Sequence, residues 1–425
     1  MGFREFFSRG PRHQEVLDSV DIRVVVSGIR GKSSTVQRLH DILYERGFNT
    51  LAKVTGDFPY TLENGEKRPI NRQGSRVTLY ENRTILRDVI TSLSETAPEE
   101  ALIMDHPLVP PSSAAFENQA IKEYTMRMFN SMFVQPQVVF LTNIRQDHND
   151  TLGRTRQRIA RSFARSIPAG THVISGEQHS VIHELLETEL HKRGATIEQV
   201  TIPAHHDDQI GAETIYGLNT ILEYYDLEPL SDQYIQDLLT AQQPTWIHLA
   251  DGTRIFNAAK VNDIESTELF RRHLVRELAD ETEQVCPFVF LRRDRRGRTA
   301  SFVEYINILA DRGLIDCVHV GGAFTRVFAR NTTPSTIEHD TTDRSAVEVL
   351  DQLIEEGLPI LLMGNTVHPW MRELDAEIAN RRKPLVPAKE TELEPLSGFI
   401  WLVPSSIKTP RIDPLIASDE RHSND

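Results

Sequence analysis

The sequence predicts an α/β protein: a parallel-sheet domain of the P-loop type, followed by a smaller, Rossmann-like α/β domain. Three observations lead to this prediction. Short apolar segments alternate with helical patterns, a Gly-x-x-Gly-Lys-Ser turn follows the first apolar segment, and a second alternating series begins after about residue 250. The 425 residues are enough for two or three cores of ordinary size.

The strands of the first domain are predicted from apolar segments bounded by turn residues. They are RVVVS, TLAKV, ALIM, VVFLTN, HVIS and IEQVTI, and the second series is RIFNAA, PFVFL, CVHVGG and PILLMG. The two series predict domains at 21–245 and 246–390. An N-terminal extension at 1–20 and a polar C-terminal tail at 391–425 flank them.

Charge and cysteine content exclude several classes of protein. Acidic residues outnumber basic ones by 61 to 47, a net charge of −14, which disfavours a general nucleic-acid-binding surface. The two cysteines, Cys286 and Cys317, form no CxxC motif, which argues against a disulfide framework and against a structural zinc site. No apolar segment is long enough to cross a bilayer, and the first twenty residues lack a signal-peptide pattern. We therefore expect a cytoplasmic protein that binds no nucleic acid.

The stretch IRVVVSGIRGKSS carries the most informative motif. Gly28 and Gly31 allow the backbone to approach a phosphate, Lys32 supplies positive charge, and the Ser33 hydroxyl can bind magnesium. The motif is shorter than the usual Walker A form, because Val26 occupies the position of its first glycine. An ordinary strand-to-helix turn is the alternative, but the position after a buried strand favours phosphate binding.

Polar side chains also follow two other predicted strands. The segment ALIMDHP ends in Asp105 and His106. The segment VVFLTNIRQDHNDTLG contributes Asn143, Asp147, His148 and Asp150. Open α/β sheets bind ligands at the carboxyl ends of their strands, where a carboxylate or a His can hold a metal ion beside a nucleotide. Each segment alone is better explained as a polar turn that caps the next helix, but three motifs at three strand ends favour a binding site.

These motifs resemble those of the Mur ligase superfamily, and within it the capsule-type branch of poly-γ-glutamate synthase catalytic subunits. The matching segments are SGIRGKSSTVQRL, AKVTGDF, LIMDHPLV, TNIRQDHNDTLG, FNAAKVNDIEST and RRDRRGRTASF, and the resemblance extends from about residue 12 to residue 375. It implies an ATP-dependent carboxylate-amine ligase that acts through an acyl phosphate, with ATP and Mg²⁺ as cofactors. The first domain then corresponds to the family's central ATP-binding domain.

The resemblance also implies roles for individual residues. Nucleotide binding falls to Gly28, Ile29, Arg30, Gly31, Lys32, Ser33, Ser34, Asn262, Asp263, Arg292 and Asp294, with Arg298 in the same arginine motif. Metal binding falls to Ser33, Asp105 and His148, and catalysis to Lys32, Asp105 and His148. The family usually has Glu where this alignment has Asp105, and a shorter side chain would shift the ion or bring in a water. Where the family keeps an Asn near the adenine, this chain has Glu213 and Thr214, so that contact is not expected.

The resemblance implies a glutamate or polyglutamate-like substrate, small membrane partner subunits, association with the membrane through them, and a homo-oligomer. The basic segment 63–83 could receive a polyanionic chain through Arg72 and Arg76, with Glu81 contacting the incoming amine. A solvated hairpin around ENGEK explains the same charges equally well. Two other functions stay open: a ligase for another amino acid, peptide or cofactor acid, and a non-catalytic nucleotide-binding regulator of a membrane assembly.

Overall fold

The computed structural model consists of two sheets, each covered by helices on both faces, and it confirms the predicted α/β class. The structure describes residues 13–55, 59–70, 85, 111–118, 122–148, 151–261, 263–278, 282–293, 296–364 and 368–383. The two sheets follow one another along the chain.

The first sheet has eight strands in the order β4-β3-β2-β5-β1-β6-β7-β8. Their bounds are β1 Ile22–Ser27, β2 Asn49–Val54, β3 Tyr60–Glu63, β4 Glu66–Pro69, β5 Ser112–Glu117, β6 Val138–Leu141, β7 His172–Ser175 and β8 Thr196–Gln199. Six neighbouring strands are parallel: β2, β5, β1, β6, β7 and β8. The β3-β4 hairpin adds two antiparallel strands at the edge beside β2. The carboxyl ends of the six parallel strands therefore meet at one edge of the sheet.

Helices cover both faces of this sheet because its central strand is apolar on both sides. Val24 and Val26 pack into one core and Val25 into the other, and all three are fully buried. The helices are α1 Lys32–Glu45, α2 Glu123–Met128, α3 Arg156–Ser166, α4 Ser180–His191, α5 Ala212–Tyr224 and α6 Asp232–Gln242, with a π-helix at Phe129–Val134 after α2. Helices α1, α5 and α6 share one core, and α2, α3 and α4 share the other.

The second sheet has six strands in the order β13-β12-β11-β14-β10-β9, of which only β9 runs antiparallel to its neighbour. The strands are β9 Ile247–His248, β10 Arg254–Asn257, β11 Cys286–Leu291, β12 Cys317–Gly322, β13 Ser335–His339 and β14 Ile360–Met363. The helices are α7 Ile264–Arg276, α8 Arg296–Asp311, α9 Thr325–Asn331, α10 Ala346–Glu355 and α11 Pro369–Arg381. Helices α7, α8 and α9 cover one face, and α10 and α11 cover the other.

Nine of the ten predicted strands are confirmed, and the tenth, ALIM, lies outside the described residues. The strand between β2 and β1 in the sheet is β5, SSAAFE. It was not predicted as an apolar segment because small Ser and Ala residues dominate it. The hairpin around ENGEK is also confirmed: Asn64 and Gly65 both have positive φ, as a two-residue hairpin turn requires. Among the helices that the structure describes, none has the length and apolar composition needed to span a membrane.

Candidate functional site

The phosphate-loop motif forms a tight turn between β1 and α1. Gly28 has φ 111° and Gly31 has φ 83°, in the left-handed region that favours glycine. A Cβ atom on Gly28 would lie 2.2 Å from Thr142 Oγ1, and one on Gly31 would lie 2.7 Å from Thr214 Cγ2. Both glycines are therefore required by the packing of the turn. The turn leads directly into the N-terminus of α1, whose first backbone N–H groups have no partner within the helix.

Lys32 and Ser33 begin α1 near Glu117, the last residue of β5, and Lys32 Nζ donates to the Ile29 carbonyl over 3.0 Å. The Ser33 hydroxyl donates to Glu117 Oε2 over 2.9 Å, and the Thr55 backbone N–H donates to the same oxygen over 2.8 Å. Burial raises the pKa of Glu117, although the charge of Lys32 opposes this effect. Burial likewise lowers the pKa of Lys32, against the opposing charge of Glu117. The Glu117 carboxylate is buried, whereas Lys32 and Ser33 are half-buried, so a carboxylate, a hydroxyl and an ammonium group lie close together at the loop.

The loop backbone is held by Asn143, which follows β6. Asn143 Oδ1 accepts from the Arg30 N–H over 3.0 Å, and the Asn143 carbonyl accepts from the Ile29 N–H over 3.2 Å. The Ser34 hydroxyl donates to the Gly31 carbonyl over 2.9 Å, so it stabilises the same turn. The Asn143 amide also donates to Glu213 over 3.4 Å, which brings the start of α5 to the loop.

Asp147 and His148 lie close to this loop. The Asp147 carboxylate accepts from the His148 backbone N–H over 2.7 Å and lies 3.6 Å from the Arg30 guanidinium and 3.2 Å from that of Arg298. Burial alone would raise the pKa of Asp147, but the charges of His148, Arg298 and Arg30 outweigh burial and lower it. His148 has φ 53°, an uncommon backbone conformation for a residue with a Cβ.

Three arginines join the two sheets at this edge. Arg30 Nε donates to Asp263, the N-cap residue of α7, and Arg30 Nη2 donates to the Val261 carbonyl over 3.1 Å. Arg298, near the start of α8, is paired with Asp147. Arg145 completes the set by donating to the Ser266 hydroxyl. The loop, the residues after β6 and the first turn of α7 therefore form one polar cleft between the two domains.

The structure brings together many of the residues singled out in the sequence. The loop residues, Asn143, Asp147, His148, Asp263 and Arg298 all belong to this cleft, and Arg292 directly follows β11. Several other predicted residues lie outside the described residues: Asp105, His106, Asp150, Asn262, Asp294, Arg72, Arg76 and Glu81. In the described part of the basic segment, Arg68 is paired with Glu63 and Glu66, and Lys67 lies over the Tyr60 ring.

Glu117 lies in the candidate site but was not among the residues predicted from the sequence. Its strand was not recognised, so the acid at the end of that strand was not considered. A signal was available, because the resembled family usually has Glu as its strand-end acid and SSAAFE ends in one. Glu213 and Thr214 also contact the loop region, which their sequence context did not indicate.

Comparison with known proteins shows which proteins this chain resembles. Residues 247–381 match the family model described as the poly-gamma-glutamate synthase CapB C-terminal domain. Over 363 residues, the chain is 21% identical to PGA synthase CapB of Bacillus subtilis (strain 168), in an alignment that covers 80% of this chain and 86% of that protein.

Two solved structures share the fold. E. coli FolC in complex with ADP has a TM-score of 0.53 and 16% identity, with 90% of this chain and 95% of that chain covered. The bifunctional folylpolyglutamate synthase/dihydrofolate synthase of Yersinia pestis, complexed with AMPPNP and Mn ion, has a TM-score of 0.52 and 16% identity, with 89% and 93% covered. The fold is thus the two-domain fold of these two structures. In sequence the chain resembles the poly-γ-glutamate synthases, which confirms the resemblance inferred from the motifs.

Proposed function

We propose that this protein is an ATP-dependent carboxylate-amine ligase that forms γ-glutamyl amide bonds through an acyl-phosphate intermediate. The observation that carries the proposal is the position of Lys32 and Ser33 beside the Glu117 carboxylate, at the edge where the second domain meets the loop. The names of its relatives, a PGA synthase and a folylpolyglutamate synthase, support glutamyl ligation in particular.

ATP binds with its phosphates on the loop between Gly28 and Gly31 and at the N-terminus of α1. Glu117 and Ser33 offer oxygen ligands of the kind that Mg²⁺ prefers, and they already lie within hydrogen-bonding distance of each other. The buried Glu117 carboxylate also lacks enough positive charge to offset its dehydration, which suits a cation binding there. When bound, Mg²⁺ supplies charge neutralisation for the transferring phosphoryl group. Asp105 and His148 remain proposed ligands, by resemblance, for this or a second ion.

The reaction requires activation of a carboxylate, since oxide is a poor leaving group. Transfer of the γ-phosphoryl group of ATP to a substrate carboxylate oxygen gives an acyl phosphate and ADP. An amine then attacks the acyl carbon and expels phosphate, which forms the amide. Lys32 is positioned to screen the charge between the two anions, and the loop N–H groups hold the phosphates in line. His148 and the cleft arginines are proposed to stabilise the oxyanion that forms during amine attack.

The second domain takes part by closing the cleft. Asp263 and Arg298 contact Arg30 and Asp147 of the first domain, so the loop residues and the second domain are directly linked. Exclusion of water is required because the acyl phosphate would otherwise hydrolyse. We further propose that Arg72 and Arg76 bind a polyglutamate-like chain and that Glu81 contacts the incoming amine. We also propose that the protein forms a homo-oligomer and associates with small membrane partner subunits.

The proposal is tested by trapping the acyl phosphate with hydroxylamine. The purified protein is incubated with ATP, Mg²⁺, hydroxylamine and either glutamate or poly-γ-glutamate, and hydroxamate is measured. We expect hydroxamate with the wild type and a loss of about 100- to 1,000-fold in Lys32→Ala. Two further variants separate the proposed metal ligands: Glu117→Gln and Asp105→Asn report which carboxylate the Mg²⁺-dependent reaction needs.

Two results would argue against the proposal. ATP binding without hydroxamate from any glutamyl acid would leave the fold intact and move the search to other carboxylic acids. Unchanged hydroxamate formation in Lys32→Ala would remove the phosphate loop from the reaction. A circular-dichroism melt of each variant distinguishes lost chemistry from lost folding.

A further inference from the structure

A second cluster of potential ligand atoms lies in the second domain, away from the interdomain cleft. Cys317 and His319 are on the same face of β12, and Glu356 follows α10, which packs on that face. The Cys317 Sγ, a His319 ring nitrogen and a Glu356 carboxylate oxygen all lie within 4.8 Å of one another. Cys317 begins its strand, whereas the cleft residues of this domain follow the carboxyl ends of strands, so the cluster lies near the opposite edge of the sheet.

We propose that Cys317, His319 and Glu356 bind a divalent transition-metal ion, with Zn(II) the best match to a thiolate, an imidazole and a carboxylate. His319 Nε2 lies 3.2 Å from Glu356 Oε1, and Cys317 Sγ lies 4.0 Å from Glu356 Oε2. A tetrahedral zinc ion with bonds of about 2.0 Å to N or O and about 2.3 Å to S separates N from O by about 3.3 Å and S from O by about 3.5 Å. The nitrogen and one carboxylate oxygen already have this spacing, and the sulfur lies about 0.5 Å farther from the other oxygen than the ion would hold it.

The exposure of the three side chains suits such a rearrangement. His319 is fully buried and fixes one ligand position, while Cys317 is half-buried and the Glu356 side chain is one-third exposed. Solvent can therefore reach the site, and the two outer ligands can move toward an ion. Three protein ligands leave the fourth tetrahedral position for water, as in zinc sites that are not purely structural.

Hydrogen bonds behind His319 define how its ring is held. Arg344 can only donate, so its contact of 3.2 Å makes His339 Nδ1 the acceptor and leaves the proton of neutral His339 on Nε2. That proton points at His319 Nδ1 over 2.9 Å, and His319 in turn donates from Nε2 to Glu356. One proton thus lies between two of the proposed ligand atoms, in the position that the ion would take.

Metal binding uses the other tautomer of His319, with its proton on Nδ1 and donated to His339. A supporting hydrogen bond of this kind is typical of metal-bound histidines. The change costs the contact between Arg344 and His339, but Arg344 keeps its bond of 2.8 Å to Gln352.

Neither Cys286 nor Cys317 belongs to a CxxC motif, so spacing along the chain argued against a structural zinc site. In the fold, however, the packing of α10 on β12 brings Glu356 next to Cys317 and His319, although Glu356 lies 37 residues after His319 in the sequence. Cys286 offers a matched control, because it lies on the adjacent strand β11 but is not among the clustered ligand atoms. It is fully buried, and burial, followed by the effect of Cys317, raises the pKa of its thiol.

The test uses Co(II) as a spectroscopic substitute for zinc in the metal-free protein. We expect a thiolate-to-cobalt charge-transfer band that saturates at one equivalent and is abolished by added Zn(II). The chain has two cysteines, so two variants assign the band: Cys317→Ser should lose it and Cys286→Ala should keep it. Glu356→Gln, an exposed change compatible with folding, should weaken Co(II) binding by at least about tenfold.

The outcomes that overturn the proposal are equally defined. A folded wild type that gives no charge-transfer band, or a band that survives Cys317→Ser and disappears in Cys286→Ala, rules out the site. Unchanged Co(II) affinity in Glu356→Gln removes the carboxylate and leaves no three-ligand site. The described loop pocket contributes no cysteine, so Co(II) bound with nucleotide there gives no thiolate band, and the result is independent of the proposed ligase reaction.

Discussion

Arg30 of the phosphate loop is ion-paired with Asp263, the N-cap residue of the first helix in the second domain. The Asp263 side chain is fully buried and also accepts a hydrogen bond of 2.8 Å from the Ser266 N–H. A single side chain of the loop therefore contacts the domain that is proposed to close over the nucleotide. In the proposed mechanism, phosphate binding and domain position share a residue, which gives an arginine inside the glycine turn a role.

Arg30→Gln should destabilise the protein because it leaves the buried Asp263 carboxylate without its cation. We expect a loss of about 3 kcal/mol in the free energy of unfolding, measured by urea denaturation. Asp263→Asn keeps a cap acceptor for α7 and removes the unpaired charge. The double variant Arg30→Gln/Asp263→Asn should therefore recover part of the unfolding free energy lost in Arg30→Gln, with a coupling energy of about 1 to 3 kcal/mol. Strictly additive losses from the two single variants would show that the ion pair does not link the domains in solution.

Lys32 and Glu117 should behave as two neighbouring opposite charges kept for function and not for stability. Burial disfavours the charged form of each, and each charge opposes that effect in the other, so Lys32→Met or Glu117→Gln alone should cost about 1 to 3 kcal/mol. The double variant removes both charges and should be at least as stable as the wild type, with no ligase turnover. Urea denaturation of all four proteins measures this, and a double variant less stable than both single variants would contradict it.

The fold was predictable from the sequence where strands are apolar and helices amphipathic. β1 and β11 are buried on both faces and read as continuous apolar segments. β5 was not predicted because small side chains suffice in a central strand whose neighbours pack closely against it. β13, STIEH, was not predicted because it is a partly exposed edge strand. Apolar content reports burial, and these strands do not bury enough large side chains to be recognised by it.

The candidate site was predictable only in part, for a related reason. Lys32 and Ser33 form a local motif whose spacing is set by one turn, so the sequence is enough to locate them. Glu117 reaches them through strand pairing over 84 residues, and the contact between Arg30 and Asp263 spans 233 residues. Such contacts depend on sheet order and domain packing, which no local pattern encodes.

Glu268 should make a stability contribution that disappears in acid. Burial alone would raise the pKa of Glu268, but hydrogen bonds from Arg271, Arg272 and Tyr305 outweigh burial and lower it from 4.5 to about 2. A carboxyl with a lowered pKa stabilises the fold above its unfolded pKa, and this contribution is lost as the pH falls through the folded value.

Glu268→Gln should therefore cost about 2 kcal/mol of unfolding free energy at pH 7, and the difference from the wild type should shrink between pH 4.5 and pH 2. Other carboxyls titrate in the same window, so the comparison of the two proteins isolates this one. Urea denaturation at a series of pH values measures it. A difference that stays constant down to pH 2 would mean that the carboxylate is not responsible.

His148 should affect amide formation more than ATP binding. Its backbone has φ 53°, which Asn tolerates better than Ala, so His148→Asn and His148→Ala separate the ring from the backbone conformation. Both variants lose the imidazole beside Asp147, and we expect hydroxylamine trapping to persist while amide formation with an amine falls by about 100-fold. ATP affinity, measured by calorimetry, should change little in the Asn variant. An equal loss of nucleotide affinity in both variants would instead assign His148 to nucleotide binding, and normal amide formation in both would remove it from the reaction.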